Sequence, residues 1–156
     1  MPSSSALRVK SIDTRTHREC LAVEQLGRRC LPLYYTADEL YVNARRNIWN
    51  ILVLMTVTDA IVGYVVLGAS GRSVVVMSIA VDVTHRRMGG CSALLRRAQA
   101  CTTVLELHVK TDNTQAINCY TQNGFRCVGR VVGYYRSLSG TDAYLMRWTA
   151  DTNDPS

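Results

Sequence analysis

The sequence predicts an α/β protein, a mixed sheet of about seven strands with about four helices covering both faces. Three observations predict it. Strand-length runs rich in Val, Ile and Leu alternate with runs whose apolar residues recur at helical spacing. Three strand-like runs follow one another almost directly, which predicts antiparallel pairing, and a strand–helix–strand segment after them predicts a crossover. Hydrophobic residues make up 47% of the 156 residues and charged residues 19%, which suits one buried core and excludes a disordered chain.

The elements follow in order. Leu7 to Ile12 alternates apolar and polar residues, as a half-buried strand does. Thr16 to Cys30 spaces Cys20, Leu21, Val23, Glu24 and Leu26 as a helix would. Pro32 breaks that helix and makes Leu31 to Tyr35 a loop. Thr36-Ala37-Asp38-Glu39 fits a capping box and opens a helix through Arg46. Asn50 to Val57 and Ile61 to Ala69 are strands joined by the hairpin-sized link Thr58-Asp59-Ala60. Gly68 to Gly71 turns the chain into a third strand, Ser73 to Asp82, whose Val and Ile content predicts burial of both faces. Met88 to Cys101 is a helix through Leu94, Leu95 and Ala98, and Val104 to Val109 is a short strand. Thr114 to Asn123 is a helix stopped by Gly124. Phe125 to Tyr135 and Asp142 to Thr149 form a closing hairpin around Ser139-Gly140. Residues 1–156 read as a single domain, with Met1 to Ala6 and Asp151 to Ser156 expected to be poorly ordered tails.

Charge and cysteine content narrow the function. The formal net charge of +6 favours an anionic partner without choosing among nucleic acid, membrane surface and phosphorylated cofactor. The arginines come in scattered pairs, Arg28-Arg29, Arg45-Arg46, Arg86-Arg87 and Arg96-Arg97, so no block of like charge makes a nucleic-acid tail. All but Arg86-Arg87 read as solvated helix faces. The longest apolar runs are strand-sized, and the N-terminus lacks a secretory leader, which predicts a cytoplasmic protein without a membrane span. The six cysteines form no C-x-x-C pair and no His stands at zinc-ligand spacing from two of them. They read as reduced thiols, mostly filling space in the core, and no metal is expected.

The chemistry gathers between Ser73 and Leu95. A Val-rich strand runs into Thr84-His85-Arg86-Arg87-Met88-Gly89-Gly90-Cys91 and then a helix. The first N–H groups of a helix lack internal partners, and the helix dipole adds positive charge, so a strand–glycine turn–helix junction is an anion site. Arg86 and Arg87 add charge beside it. Neither G-x-G-x-x-G nor G-x-x-x-x-G-K-[ST] is present, which points away from the commonest dinucleotide and nucleoside triphosphate modes.

The stretch Arg86 to Leu95 resembles the R-R-x-G-x-G/A-x-x-L-L acetyl-CoA motif of the GNAT superfamily. Three further blocks agree in order. Glu106-Leu107-His108-Val109 with Asn113, Ala116-Ile117, Tyr120 and Gly124-Phe125 is similar to the L-H-V…N…A-I-x-x-Y…G-F block of N-terminal acetyltransferases. Leu31-Pro32-Leu33-x-Tyr35 resembles the F-P-V-x-Y peptide loop of the NatE catalytic subunit, and Tyr134-Tyr135-Arg136 with Asp142-Ala143 resembles its Y-Y-K…D-A hairpin. The resemblance runs from Leu31 to about Met146 and is nearest to the NatE and NatF catalytic subunits.

That resemblance implies a GNAT fold, acetyl-CoA as cofactor and the free N-terminal amine of proteins or peptides as acceptor. It implies that the turn Arg86, Arg87, Met88, Gly89, Gly90, Cys91 and Ser92 holds the pyrophosphate. The backbone of Ile79, Ala80 and Val81 would pair with the pantetheine arm, and Asn113 and Tyr120 would line the other side. Leu31, Pro32, Leu33, Tyr35, Met77, Tyr134 and Tyr135 would receive the acceptor's first residues, a Met first residue preferred. His108 would be the general base; taken by spacing alone, it reads instead as a core histidine bonded to a backbone carbonyl. Val75 stands where these relatives carry a catalytic Tyr. An α-amine has a pKa of roughly 8, so a base working near neutrality is required, and imidazole suits it. An auxiliary acetyltransferase subunit or the ribosome is the further partner expected. The competing readings keep the cofactor: a lysine or small-amine acetyltransferase, or a weakly active CoA-binding subunit.

Overall fold

The computed structural model describes residues 7–135 and 141–150. The strands are β1 (Arg8–Ser11), β2 (Asn50–Met55), β3 (Ile61–Ser70), β4 (Ser73–Val81), β5 (Val104–Lys110), β6 (Arg126–Tyr135) and β7 (Thr141–Thr149). The α-helices are α1 (Arg18–Cys30), α2 (Ala37–Arg45), α3 (Gly90–Gln99) and α4 (Thr114–Gln122). They give the predicted element order and a seven-stranded mixed sheet of order β1-β2-β3-β4-β5-β7-β6. Only β4 and β5 pair in parallel.

Alternation along β2 divides the core into two layers. Ile51, Val53 and Met55 face the α1–α2 side with Tyr64, Val66, Cys20, Val23, Leu26 and Leu40. Leu52 and Leu54 face the α3–α4 side with Val65, Leu94, Leu95, Ala98, Tyr120 and Phe125. Period-two strands between helices with apolar stripes leave this three-layer arrangement as the way to bury both sets. The capping box of α2 is present: Thr36 accepts from the Glu39 N–H at 3.2 Å, and Glu39 accepts from the Thr36 N–H at 2.9 Å.

Several sequence expectations are corrected. Gly68, Ala69 and Ser70 belong to β3, and the turn is confined to Gly71-Arg72. Gly68 is needed for space: a Cβ there would stand 2.6 Å from the Met77 Sδ. Helix α3 begins at Gly90 rather than Met88, and a 3₁₀ turn, Val83–His85, precedes it. Asp82 caps that turn, its carboxylate accepting from the Thr84 N–H. Strand β4 is not buried on both faces: only Val76, Ala80 and Val81 are buried. The reason is that β5 pairs only with Val74, Val75 and Val76, after which the two strands part. The turn at Ser139-Gly140 and both terminal tails lie outside the described residues.

The cysteines are all free. Cys20 is fully buried, its thiol pushed up to about 11 by burial. Cys30, Cys91 and Cys119 pack half-buried against the core, and Cys101 and Cys127 are exposed. The arginine pairs on α1, α2 and α3 are solvent-facing, as expected. Among the described residues no helix is long and apolar enough to cross a membrane.

Gly90 is where helix meets sheet most closely, since a Cβ there would lie 2.6 Å from the Cδ2 of the fully buried Leu54. Gly90→Ala should therefore lower stability by about 1–2 kcal/mol, overpacking exceeding the gain in helix propensity. Urea unfolding checks this, with the midpoint falling at unchanged slope.

Candidate active site

The parting of β4 and β5 opens a cleft of about 1190 Å³ through the molecule. Register with β3 slips between Val66 and Leu67: Val66 faces Ser78, Leu67 faces Val76, and Met77 is the extra residue. Such a bulge kinks the strand and re-aims its side chains. Past it, the Asp82 N–H bonds to the Val62 carbonyl at 2.7 Å. Alternation then turns the peptide groups of Ile79 and Val81 away from β3, toward the side that β5 has left. The Val81 carbonyl already accepts from Arg86 Nε at 3.1 Å, which ties this arginine to the strand end.

The turn after β4 is shaped for an anion. Arg87 and Gly89 are both left-handed, with φ of 65° and 80°. The first α3 amide to bond back is that of Ala93, to the Gly89 carbonyl at 2.9 Å. The N–H groups of Gly90, Cys91 and Ser92 therefore have no helical acceptor. A Cβ at Gly89 would meet nothing within 4 Å, whereas one at Gly90 would strike Leu54. The glycines thus differ: Gly89 serves the turn and the open cleft, and Gly90 serves packing.

At the cleft's other end lies an apolar pocket. Helix α1 ends with the Leu31 N–H on the Gly27 carbonyl at 2.9 Å, and Pro32 prevents another turn. Glu24 of α1 accepts from the Ala37 N–H at 3.2 Å, so the loop between the helices is pinned at both ends. Tyr35 packs on Trp49 with ring centroids 4.7 Å apart, and burial raises its phenol. The Arg28 guanidinium lies 5.3 Å above the Tyr34 ring.

His108 sits on β5 where the strand alternates: Leu105, Leu107 and Val109 are buried, and His108 and Glu106 share the opposite, half-buried face. Burial holds the imidazole below its ordinary value, and the Glu106 carboxylate opposes this only in part. Glu106 lies opposite Arg147 on β7 and accepts from it at 2.9 Å, which holds its carboxyl below the usual range. The His108 ring lies flat on Tyr134, centroids 4.4 Å apart and planes at 11°.

Of the residues singled out from the sequence, the structure brings together Leu31, Pro32, Leu33, Tyr35, Met77, Ile79, Ala80, Val81, Arg86, Arg87, Gly89, Gly90, Cys91, Ser92, His108, Asn113, Tyr120, Tyr134 and Tyr135 around one cleft. Met88 does not line it, a correction to the expected pyrophosphate set. Asn113 also caps α4, accepting from the Ala116 N–H at 3.2 Å. Sequence reasoning missed Ser78, Lys110 and Cys119. Lys110 was legible as the residue two beyond His108 on the same strand. Ser78 is held by the Tyr64 hydroxyl at 2.8 Å, a contact between strands with no local signal. Cys119 lies against Cys91, and the hydrogen bond between the thiols pushes Cys91 up and Cys119 down, with Asn123 and Ser92 also bonding Cys119. Burial pushes the Tyr120 phenol well up, so it keeps its proton at neutral pH. No Asp or Glu lines the cleft among the described residues, whereas Arg86, Arg87 and Lys110 do.

The comparisons with known proteins agree with this geometry. The pattern of the Acetyltransferase (GNAT) family matches residues 17–125. The N-alpha-acetyltransferase RimI of Mycobacterium tuberculosis is 39% identical over 102 residues, 62% of this chain and 63% of that protein. The chain thus spans less than two thirds of that relative's length. Among solved structures, the ribosomal-protein-S18-alanine N-acetyltransferase of Escherichia coli superposes with a TM-score of 0.77 over 94% of this chain and 97% of that one, at 20% identity. NAA60 of Arabidopsis thaliana superposes with a TM-score of 0.78 over 93% and 98%, also at 20% identity. At that identity the two structures show a shared fold.

The two kinds of glycine and the placement of Met88 give a direct test. Gly89→Val should abolish binding of CoA in calorimetry while circular dichroism remains that of the folded protein; Met88→Ala should bind with unchanged affinity. A folded Gly89→Val protein with normal affinity contradicts the assignment.

Proposed function

The chain belongs to the acetyltransferase (GNAT) family, and we propose that within it the protein acetylates the free N-terminal amine of other polypeptides, Met-starting ones best. Membership makes it an acyltransferase that uses acetyl-CoA, which supplies the acetyl group as a thioester. The finer reading places it with the NatE and NatF type of catalytic subunit, on one domain spanning residues 1–156.

The observation that carries the acceptor assignment is the composition of the cleft: an apolar, tyrosine-lined end beside His108, with no carboxylate among the described residues. A polyamine or a lysine-rich segment would bring a second cation into this cleft, shed water and find no counterion. A chain end on an apolar residue brings one amine only. The pinned Leu31–Tyr35 loop and the Met77 thioether offer a preformed, adaptable wall for an unbranched side chain.

The structure also fits the cofactor. The free amides of Gly90, Cys91 and Ser92 with Arg86 and Arg87 suit a pyrophosphate, and the outward peptide groups of Ile79 and Val81 suit an amide-bearing arm. Asn113 and Tyr120 close the opposite wall, the Tyr120 phenol remaining a donor at neutral pH.

His108 acts as the general base. An α-amine with a pKa of roughly 8 is mostly protonated at neutral pH and must lose a proton to attack. His108 titrates below its ordinary value, so at pH 7 it is neutral and able to accept that proton. Val75 lies opposite Glu106 on the same face and offers no proton-transfer group, which leaves this task to the imidazole. The same observation favours one alternative, a CoA-binding subunit with little activity alone; turnover of a Met-starting peptide by the purified chain separates the two.

His108→Ala should lower kcat by ~10² or more with CoA affinity almost unchanged. An unchanged kcat removes His108 from this role. In the wild type, kcat should fall only as pH drops through a value below 6.5, because the depressed imidazole stays neutral until then. Peptides beginning with Met, Ala, Ser and Asp, with spermidine beside them, test the acceptor. Met should lead in kcat/KM by roughly 10- to 200-fold, the discrimination an apolar pocket supplies, and spermidine should be a poor acceptor. Equal rates for Met, Ser and Asp peptides defeat the pocket.

A further inference from the structure

We propose that Tyr134 is a positioning residue for His108, aimed by a locked bulge in β6, rather than solely part of the acceptor wall. The inference rests on the reading of His108 as base.

The bulge is visible in the pairing of β6 with β7. Val131 faces Ala143 and Tyr135 faces Thr141, so three β6 residues stand opposite Asp142 alone. Gly133 within it is left-handed, φ 67°, a conformation that costs other residues strain. The Asp142 carboxylate accepts from the Gly133 N–H at 2.8 Å and from Arg130 Nε at 2.9 Å. Both oxygens are used, one to hold the bulged backbone and one to hold the neighbouring strand position. An edge strand does not need this arrangement for pairing. Its effect is to turn Tyr134 inward, onto His108.

The ring contact determines where the imidazole nitrogens can point. A stack at 11° with centroids 4.4 Å apart places the imidazole plane against a fixed surface. The nitrogens lie in that plane, so they must point along the cleft and cannot swing toward β6. Tyr134 is itself steadied by Tyr135, edge-on with centroids 4.8 Å apart. Among the described residues the stack, not a hydrogen bond, orients this imidazole. A general base needs its lone pair aligned within a narrow cone, and a misplacement of ~1 Å can cost ~10²-fold in rate.

The charged and titratable neighbours of His108 are Glu106 and Lys110 on its own strand, Arg147 on β7 paired with Glu106, and Tyr134 and Tyr135 from β6. Strand β4 contributes Val75 and Met77, which carry no charge. Removing the Tyr134 ring admits water to the imidazole and leaves the Glu106 carboxylate in place. Relief of burial moves its titration upward, toward its ordinary value, while Glu106 continues to favour the charged form.

The test compares Tyr134→Phe, Tyr134→Leu and His108→Ala. In the free protein, the His108 imidazole proton followed by NMR should titrate higher in Tyr134→Leu than in wild type and unchanged in Tyr134→Phe. With a Met-starting peptide, Tyr134→Leu should lower kcat by ~10-fold or more and move the acid limb of the kcat profile upward. Tyr134→Phe, which keeps the ring, should keep the acid limb at its wild-type position, with the lost hydroxyl showing in KM. The proposal is overturned if Tyr134→Leu leaves the titration and the acid limb where they were, or if Tyr134→Phe behaves as Tyr134→Leu does. Failure of the base reading shows separately, as a His108→Ala protein with wild-type kcat. Tyr134 is 46% exposed, so its substitution leaves the core intact.

Discussion

Everything functional in this protein depends on β4 and β5 ceasing to pair after Val76. Parallel strands in a buried sheet normally satisfy each other's peptide groups along their whole length. Here only Val74, Val75 and Val76 do so. Beyond them the peptide groups of Ile79 and Val81 have no strand beside them: the Val81 carbonyl is taken by Arg86, and the rest of this edge faces the cleft. His108 of β5 lines the cleft that this parting leaves, while α3 and α4 stay in contact through Ser92 and Asn123. One local end of pairing thus leaves a free backbone edge on β4, and the glycine turn and His108 both line the cleft beside it.

The bulge at Met77 stands where β4 and β5 cease to pair, and it is supported from both sides. Gly68 leaves room for the Met77 thioether, and the Tyr64 hydroxyl holds Ser78. The far end of β4 is tied by Arg29 to Asp82 at 3.2 Å and by Arg86 to the Val81 carbonyl. These contacts are individually modest, as exposed ion pairs are. Together they fix the strand end against α1 and set the turn that leads into α3. The strain at Arg87 is sustained by that framework.

Electrostatics divides the cleft by function. Arginine and unpaired amides occupy the end toward α3, tyrosines and aliphatic side chains the end toward α1, and His108 stands between. Burial holds the His108 imidazole below its ordinary value, and the single carboxylate that opposes this, Glu106, is paired with Arg147. The ion pair joins β5 to β7 at facing register positions, beside the imidazole.

The sequence by itself determined the element order and the family blocks, because both are local. Period-two alternation in β1, the capping box at Thr36 and the stop at Pro32 are each written within a few neighbouring residues, and each was found where the spacing placed it. The same local reading misjudged β4, since a Val-rich run says that a strand is apolar but not whether its neighbour continues beside it. It also took Gly68 for a turn residue, and it began α3 at Met88, two residues before its actual start at Gly90. Only the tertiary structure decided that β5 departs at Val76, that Cys119 meets Cys91, and that a bulge opposite Asp142 lays Tyr134 on His108. Those are contacts between residues distant in the chain, decided by register and by competition for space, and no local pattern encodes them.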